Sequence, residues 1–384
     1  MDRFIWTTNM LKNSVNHFPL SVAMGSAFCN RIDEIKHLQN CMMNKRPVLL
    51  ISPRRYGKTS LALRAISQLK LPYAHIDLFS AVDDQDIEKC ILRGVGTLIS
   101  QMESLPKKAY ALASEFFEGT HIRVALTKLG VAIEVVKERE KPAYRVLDLL
   151  ERLEKLAKKT KKEIVLFFDE FQVIREIAQD HAMEAVLRQV AQLTQSISFI
   201  FSGNNRHLLN ELFEDRNRPF YKLCERITID RIQEAPYSKH IQVVAKARWK
   251  RELTTRELDA IFFYSERHPY YLNLLCSRLL MTDNPNVEAI EKEWMRYTIE
   301  ERSNVASEIE LLSKNQRKLL VMLSRANGTV EPLGKEFVQK TNMPKATIEQ
   351  SLNFLEKKDY LFKEVSGRVN VLDPLIKWVL SNGE

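Results

Sequence analysis

One short segment early in the chain has the residue types and order that bind phosphate. Residues 52–60 read Ser-Pro-Arg-Arg-Tyr-Gly-Lys-Thr-Ser and lie between an apolar run and a helical stretch. Gly57 lets the backbone pass close to a phosphate, and the amides after it sit at a helix N-terminus, which favours anions. Lys58 would reach the β- and γ-phosphates, and Thr59 would offer its hydroxyl to Mg²⁺. The segment fits G-x-x-x-x-G-K-[ST], except that Ser52 replaces the first glycine. The residues predicted to bind nucleotide here are Ser52, Pro53, Arg54, Arg55, Tyr56, Gly57, Lys58, Thr59 and Ser60.

An acidic pair follows a second apolar run, at 164–168. A carboxylate at the end of a buried strand lies at the carboxyl edge of a parallel sheet, where α/β proteins bind ligands. Asp169 is therefore predicted to hold Mg²⁺ through its waters, and Glu170 to polarise the attacking water as a general base. By itself the pair could be a solvent-facing strand end, but the loop at Lys58 favours the metal site. Residues 44–47 lack the aspartate of the Asn-Lys-x-Asp element that reads guanine, so ATP is expected rather than GTP.

The elements that must position these residues follow from the pattern of apolar runs. Between 28 and 235, short β-rich runs alternate with amphipathic stretches, which is typical of a parallel sheet with crossover helices. The runs are continuous enough for strands buried on both faces, and they occupy 48–51, 73–78, 164–168, 198–201 and 227–229. We therefore expect an α/β core over 28–235, after an N-terminal extension over 1–27. Residues 106–145 exceed what a minimal core needs and are predicted to be an elaboration, with a strand at 131–136.

Two further units are predicted after the core. Residues 236–304 read as a helical lid. Residues 305–384 read as three helices, at 315–325, 333–341 and 345–357, followed by two short β runs with Gly367 between them. This order predicts a winged helix, whose third helix would enter a DNA major groove. Because twelve Lys+Arg there face ten Asp+Glu, DNA and protein partners both stay open.

Composition narrows the class of protein. The net charge of +9 permits an acidic partner, although the lysine cluster at 155–162 reads more simply as a solvated helix face. No run of about 18 apolar residues exists, and the first 30 residues lack the order of a signal peptide, so we expect a cytoplasmic protein without membrane contact. The five cysteines form no C-x-x-C pair, which argues against a zinc site or a disulfide framework.

Taken together, these motifs resemble those of the archaeal-type ATPase family, in the AAA+/STAND branch of P-loop NTPases. The resemblance covers nearly the whole chain. Residues 28–34 look like the family's Phe-x-x-Arg-x-x-Glu box beside the adenine pocket, which implies that Arg31 is part of the nucleotide site. Residues 53–61 are similar to its Pro-Arg-Arg-x-Gly-Lys-Thr-Ser-Leu loop, and 169–172 to its Asp-Glu-x-Gln signature. The resemblance implies a P-loop fold with ATP and Mg²⁺ as ligands.

The same resemblance suggests residues that sense nucleotide. Residues 199–204 look like the family's sensor strand, so Ser202 or Asn204 would contact the γ-phosphate or the attacking water; a simple turn is the alternative. Pro236 corresponds to a proline-marked sensing position, as does the run at 268–271. Here Arg267 and the residue after it stand where the family often has Gly-x, and Arg267 could itself sense phosphate.

An arginine finger is also implied by the resemblance. Arg226 stands where the family carries an arginine before a strand, and it would act on a neighbour's nucleotide through self-association. Arg216 and Arg218 are rivals, and a surface salt bridge is the alternative for each of them.

The function expected from the sequence is Mg²⁺-dependent ATP binding and slow hydrolysis that moves the lid and the winged helix. Two alternatives stay open. In one, the chain is a DNA-associated regulator or remodeller whose nucleotide state controls DNA binding. In the other, it is a STAND-type signalling scaffold that hardly turns over and uses ATP to gate self-assembly.

Overall fold

The computed structural model describes residues 16–103, 105–120, 122–127, 130–135, 141–177, 180–364 and 366–382. The chain divides into two compact units: one is Arg31–Asp230, and the other combines Met1–Asn30 with Arg231–Glu384. Most of the predicted N-terminal extension, residues 1–15, lies outside the described residues. None of the helices in the described ranges has both the length and the apolar character needed to span a bilayer.

A five-stranded parallel sheet forms the centre of the unit Arg31–Asp230. Its strands, in spatial order, are β2 (Tyr73–Asp77), β5 (Ile164–Asp169), β6 (Ile197–Gly203), β1 (Val48–Ile51) and β7 (Glu225–Thr228). Each neighbouring pair is parallel. The three inner strands, β5, β6 and β1, are buried at every position, which explains their unbroken apolar sequences. The predicted α/β fold with a parallel sheet is confirmed.

Helices connect these strands and pack on the sheet. They are α1 (Ile32–Met43), α2 (Lys58–Leu69), α3 (Asp84–Met102), α4 (Pro106–Phe116), α5 (Pro142–Thr160), α6 (Val173–Ile177), α7 (Ala182–Leu193) and α8 (Arg206–Glu214). An antiparallel hairpin, β3 (Ile122–Thr127) and β4 (Gly130–Val135), lies within the segment predicted to be an elaboration. The crossover from β2 to β5 therefore contains three helices and this hairpin.

The second unit is helical apart from one small hairpin. Its elements are α9 (Glu234–Trp249), α10 (Thr255–Ser265), α11 (Pro269–Leu279), α12 (Val287–Glu310), α13 (Lys314–Arg325), α14 (Lys335–Thr341), α15 (Lys345–Lys357), β8 (Leu361–Lys363), β9 (Val369–Val371) and α16 (Pro374–Asn382). Gly367, with φ of 86°, lies in the turn between the two antiparallel strands, and Thr329 bridges to Val369 beside them. One buried apolar cluster extends from α9 to α16, so the division into lid and terminal domain stays a prediction.

Candidate nucleotide site

The loop between β1 and α2 passes twice through the left-handed region of backbone space. Arg55 has a φ of 64° and Gly57 a φ of 87°. Glycine adopts this conformation without steric strain, and α2 begins at the next residue. Ser52 is not in the left-handed region, so a side chain fits where the phosphate-loop pattern has its first glycine. The buried hydroxyl of Ser52 donates to the carbonyl oxygen of Pro53 at 3.0 Å.

Lys58 points back into this loop. Its ammonium donates to the carbonyl oxygens of Ser52 and Pro53, each at 3.1 Å, and to the Ser52 hydroxyl at 3.3 Å. The side chain is buried, and a buried ammonium requires such oxygen partners. The loop therefore holds the cation at the N-terminus of α2, where the helix dipole also attracts anions.

Asp169 joins side chains from three other elements. Its Oδ2 accepts a hydrogen bond of 2.7 Å from the hydroxyl of Thr59, its Oδ1 accepts one from Ser202, and His75 Nε2 lies 3.5 Å from Oδ2. Burial opposes the charge on Asp169, but hydrogen bonds from His75, Ser202 and Thr59 outweigh it and lower the pKa to about 2. An ionised carboxylate next to a hydroxyl is an oxygen donor set that suits Mg²⁺.

Glu170 is held by two amides. Its Oε2 accepts a hydrogen bond from Gln172 Nε2 at 2.5 Å, and its Oε1 accepts one from Asn204 Nδ2 at 3.1 Å. Burial raises the pKa of Glu170, the hydrogen bond from Gln172 opposes this rise, and the charge of Asp169 adds to it. A carboxylate with a raised pKa is a better proton acceptor than an ordinary one. Glu170 itself has a φ of 53°, which turns it away from the strand direction.

Gly203 makes room for this amide arrangement. A Cβ atom at Gly203 would lie 2.0 Å from Gln172 Oε1 and 3.3 Å from a methyl carbon of Leu209. The end of β6 therefore supplies two features of the site, the Asn204 amide and the space that the Gln172 side chain occupies.

The other residues of the predicted phosphate loop, 52–60, fall into an exposed group and a buried group. Arg54 and Arg55 are exposed, whereas Tyr56 and Ser60 are buried, as is Pro53. The two arginines thus project from the loop, and the buried residues fix its position on the sheet.

Arg31 is buried at the start of α1, with a left-handed φ of 70°. Its guanidinium donates to Glu34 Oε1 at 3.2 Å and to the carbonyl oxygen of Asp230. Burial lowers the pKa of Arg31, while the charge of Glu34 opposes that change. Arg31 therefore links α1 to the chain that follows β7, and its contact with nucleotide stays a prediction.

The three candidate finger arginines have different surroundings. Arg226 is exposed on β7, where it pairs with Glu214, and Arg216 is exposed in the loop before that strand. Arg218 is instead nearly buried and lies 3.2 Å from Glu184 Oε1. Arg218 is therefore engaged within its own unit, while Arg226 and Arg216 lie at the surface.

The other predicted sensing residues lie in the second unit. Pro236 is in the first turn of α9. His268 is the N-cap of α11, and its Nδ1 accepts a hydrogen bond of 3.2 Å from the amide of Tyr270. Arg267 has a φ of 59°, and its Nε lies 3.6 Å from Glu234 Oε1. Their roles toward nucleotide stay predictions.

Two residues of the site were given no role on the basis of sequence. His75 reaches Asp169 because β2 pairs with β5, and its ring stacks on Phe167 with centroids 4.8 Å apart. The order of strands in the sheet decides which strands pair. The number of residues between His75 and Asp169 therefore does not predict their contact. Gln172 lies in the Asp-Glu-x-Gln motif, which was the available signal for its hydrogen bond to Glu170.

Comparisons with known proteins agree with this geometry. Residues 48–223 match the model of the ATPase family associated with various cellular activities (AAA). A Walker-type ATPase of Pyrococcus abyssi superposes with a TM-score of 0.66 and 17% identity, over 95% of this chain and 99% of that chain. The chain therefore shares the fold of this protein. The ORC2 protein of Aeropyrum pernix, solved as ADPNP–ADP complexes, gives a TM-score of 0.57 and 14% identity, over 92% and 94%. No curated protein matches the sequence.

Proposed function

We propose that this chain binds ATP with Mg²⁺ and hydrolyses it slowly, as a switch that moves its lid and winged-helix domains. The observation that carries the proposal is the 2.7 Å hydrogen bond between Thr59 and Asp169. It brings the phosphate loop of β1–α2 and the acidic end of β5 to one point at the carboxyl edge of the sheet. Ligands of α/β proteins bind at this edge.

Lys58, the α2 amides and Gly57 would bind the β- and γ-phosphates of ATP. Thr59 and Asp169 would hold Mg²⁺, because both offer oxygen atoms and the low pKa of Asp169 keeps it ionised at neutral pH. The bound ion would neutralise charge on the phosphates. Arg31 is proposed to contact the nucleotide from the start of α1, and Pro236 from the lid.

Hydrolysis would begin at Glu170, which takes a proton from the attacking water. Asn204 is proposed to orient that water or the γ-phosphate, and we propose that its amide leaves Glu170 to do so. The hydrogen bond of 3.1 Å between Asn204 and Glu170 therefore supports a resting arrangement in which the base is occupied. Replacement of this bond by contacts to the γ-phosphate would be the first step of the switch.

The moving parts follow the sequence boundaries, with a core over 28–235, a lid over 236–304 and a winged helix over 305–384. Support for the winged helix comes from the order of α13, α14 and α15 before the β8–β9 hairpin, which Thr329 joins through an isolated bridge to Val369. Arg226 is proposed as the finger, supplied to a neighbouring copy, because its side chain is exposed. A cytoplasmic location remains part of this proposal.

The two alternative functions are a DNA-associated regulator that reads DNA through its winged helix, and a STAND-type scaffold. No specific observation on the third helix or at the nucleotide site favours either of them. DNA reading by the third helix would need a basic face, but the exposed side chains of α15 include Glu349 and Glu356 as well as Lys345 and Lys357. A STAND-type scaffold would retain its nucleotide and hardly hydrolyse it. The hydrogen bonds that Glu170 accepts from Gln172 and Asn204 are compatible with such slow turnover and do not favour it.

Calorimetric titration with ATP tests the proposal. Wild-type protein should bind ATP more tightly with Mg²⁺ than without it, and Lys58→Ala should abolish binding. Thr59→Ala should weaken binding in Mg²⁺ and leave the Mg²⁺-free affinity unchanged. Lys36→Ala, on the exposed face of α1, is the matched control and should bind as wild type does. Absence of ATP binding by the wild type would refute the proposal.

A further inference from the structure

Two clusters of basic residues in the sequence have different structural environments. In the cluster at 155–162, at the end of α5, Lys158 lies 3.2 Å from Glu154, Lys159 lies 2.6 Å from Glu115, and Lys162 donates to a backbone carbonyl. Three of the lysines in this cluster are therefore engaged within their own unit. The cluster behaves as the solvated helix face that the sequence suggested.

The second cluster lies along α13 and differs from the first. Lys314, Arg317, Lys318 and Arg325 are all exposed, and α13 carries no acidic residue. At 3.6 residues per turn the four side chains fall within an arc of about 100° on one face of the helix. Across the described residues, no carboxylate or other hydrogen-bonding group contacts the side chains of Lys314, Arg317 or Lys318. We call these four side chains the α13 basic face.

Lys314, Arg317 and Lys318, in the N-terminal half of α13, do not stabilise the helix that carries them, whereas Arg325 lies in its last turn, where a cation is favourable. Positive side chains in a first turn oppose the helix dipole, and like charges at i,i+3 and i,i+4 repel each other. The helix is held instead by the capping box between Ser313 and Gln316, and by leucines buried beneath it. Lys314, Arg317 and Lys318 therefore add nothing to the stability of α13, and they suit an anionic partner outside the chain.

A groove adjoins the C-terminal end of this face. Its volume is about 420 Å³, and Arg325, which belongs to the α13 basic face, lines it together with Phe263 and Trp378. Phe263 is 65% exposed, and its ring meets Trp378 edge to face with centroids 5.9 Å apart. Lys377 also lines the groove but is paired with Glu266 at 2.6 Å, so its charge is already matched. An exposed aromatic ring beside a cation suits a flat, π-rich group attached to an anion.

We propose that the α13 basic face and this groove bind single-stranded nucleic acid. Phosphates would contact the four cations, which extend over about 17 Å of helix at 1.5 Å per residue. A base would enter the groove and stack on Phe263. A duplex keeps its bases stacked inside, so it could use the cations but not the groove. None of the residues named for this site belongs to α15 or to the predicted nucleotide-binding residues, and the proposal does not depend on the proposed ATPase function.

The test is fluorescence anisotropy with labelled oligo-dT of about 20 nucleotides, without ATP, over salt from about 50 to 200 mM. The variant Lys314→Gln/Arg317→Gln/Lys318→Gln should bind at least about tenfold more weakly. The slope of log affinity against log salt should shrink by about 2, since each lost single-strand phosphate contact contributes about 0.7. A control with the same charge change, Lys155→Gln/Lys159→Gln/Lys161→Gln at the C-terminal end of α5, should stay within about twofold of wild type.

A second variant tests the groove. Phe263→Ala should weaken oligo-dT binding at least about fivefold at every salt concentration and leave the salt slope unchanged, because stacking involves no counterion release. Thermal unfolding of each variant would verify that the fold is kept. Equal loss of binding in the α5 control would overturn the proposal. Tighter binding of a duplex of the same length, or no oligo-dT binding by the wild type at the lowest salt, would overturn it as well.

Discussion

Replacing Asp169 by Asn tests how the site holds its carboxylate. Burial opposes the charge on Asp169, but hydrogen bonds from His75, Ser202 and Thr59 outweigh it, so the pKa is about 2 instead of the ordinary 3.8. At about 1.4 kcal/mol per pH unit, this lowering corresponds to about 2 kcal/mol of folding stability at neutral pH. The Asp169 side chain is only 10% exposed, so solvent screens these contacts little.

The sign of the pH dependence follows from the lowered pKa. The stability from Asp169 is complete above the unfolded pKa of about 3.8 and is lost as the pH falls towards 2. Wild type should therefore exceed Asp169→Asn by about 2 kcal/mol near pH 7 and by about half as much near pH 3.

The measurement is urea unfolding without Mg²⁺ or nucleotide, followed by hydrogen exchange in β1, β5 and β6. A chain with two compact units need not unfold in one step. Hydrogen exchange of the strand amides gives the stability of the sheet itself, separately from that of the second unit. Equal stability near pH 7 would refute the reasoning. A difference independent of pH would also refute it, since it would come from packing of the amide and not from charge.

Three further changes have expected outcomes. Gly203→Ala places a Cβ 2.0 Å from Gln172 Oε1, so the amide must move, and ATP turnover should fall about tenfold or more while ATP affinity stays within about twofold. Arg218→Ala removes the nearer basic partner of the buried Glu184 and leaves His181 at 3.5 Å, so it should lower the free energy of unfolding by about 3 kcal/mol, measured by urea denaturation. Arg226→Ala should slow turnover by about a thousandfold, in a steady-state assay, without loss of ATP binding.

Each of these has a matched control. If the Gly203 effect acts through Gln172, then Gln172→Ala and the double variant should turn over equally, and additive losses would contradict that route. Arg216→Ala, at the surface, should change the free energy of unfolding by no more than about 0.5 kcal/mol. A loss as large as that of Arg218→Ala would contradict the argument that the burial of the Arg218–Glu184 pair causes the loss. Mixing Arg226→Ala with Lys58→Ala should restore turnover if the finger acts between chains.

The strands of the core were predictable because parallel strands buried on both faces need continuous apolar sequence. All five predicted runs coincide with strands of the sheet, to within two residues at either end. The predicted strand at 131–136 corresponds to β4, but its partner β3 was not predicted. Neither was α16, since its short apolar sequence followed the last recognisable turn.

The site was predictable only where neighbouring residues share a motif. Lys58 and Thr59 follow one strand and Asp169 ends another, so the sheet edge that joins them could be inferred. Contacts that depend on strand order could not, and the approach of His75 to Asp169 is the clearest example. Ser202 and Asn204 were predicted as alternatives for one role, whereas the structure gives each its own carboxylate partner.

The proposed ATPase function is tested by single-turnover and steady-state ATP hydrolysis, with Lys58→Ala and Glu170→Gln beside the wild type. We expect slow, Mg²⁺-dependent turnover by the wild type and none by either variant. Glu170→Gln should still bind ATP, because it alters the base and leaves the phosphate loop intact, whereas Lys58→Ala should not. Turnover that persists in Glu170→Gln would contradict the assigned base, and a wild type that neither binds nor hydrolyses ATP would contradict the account as a whole.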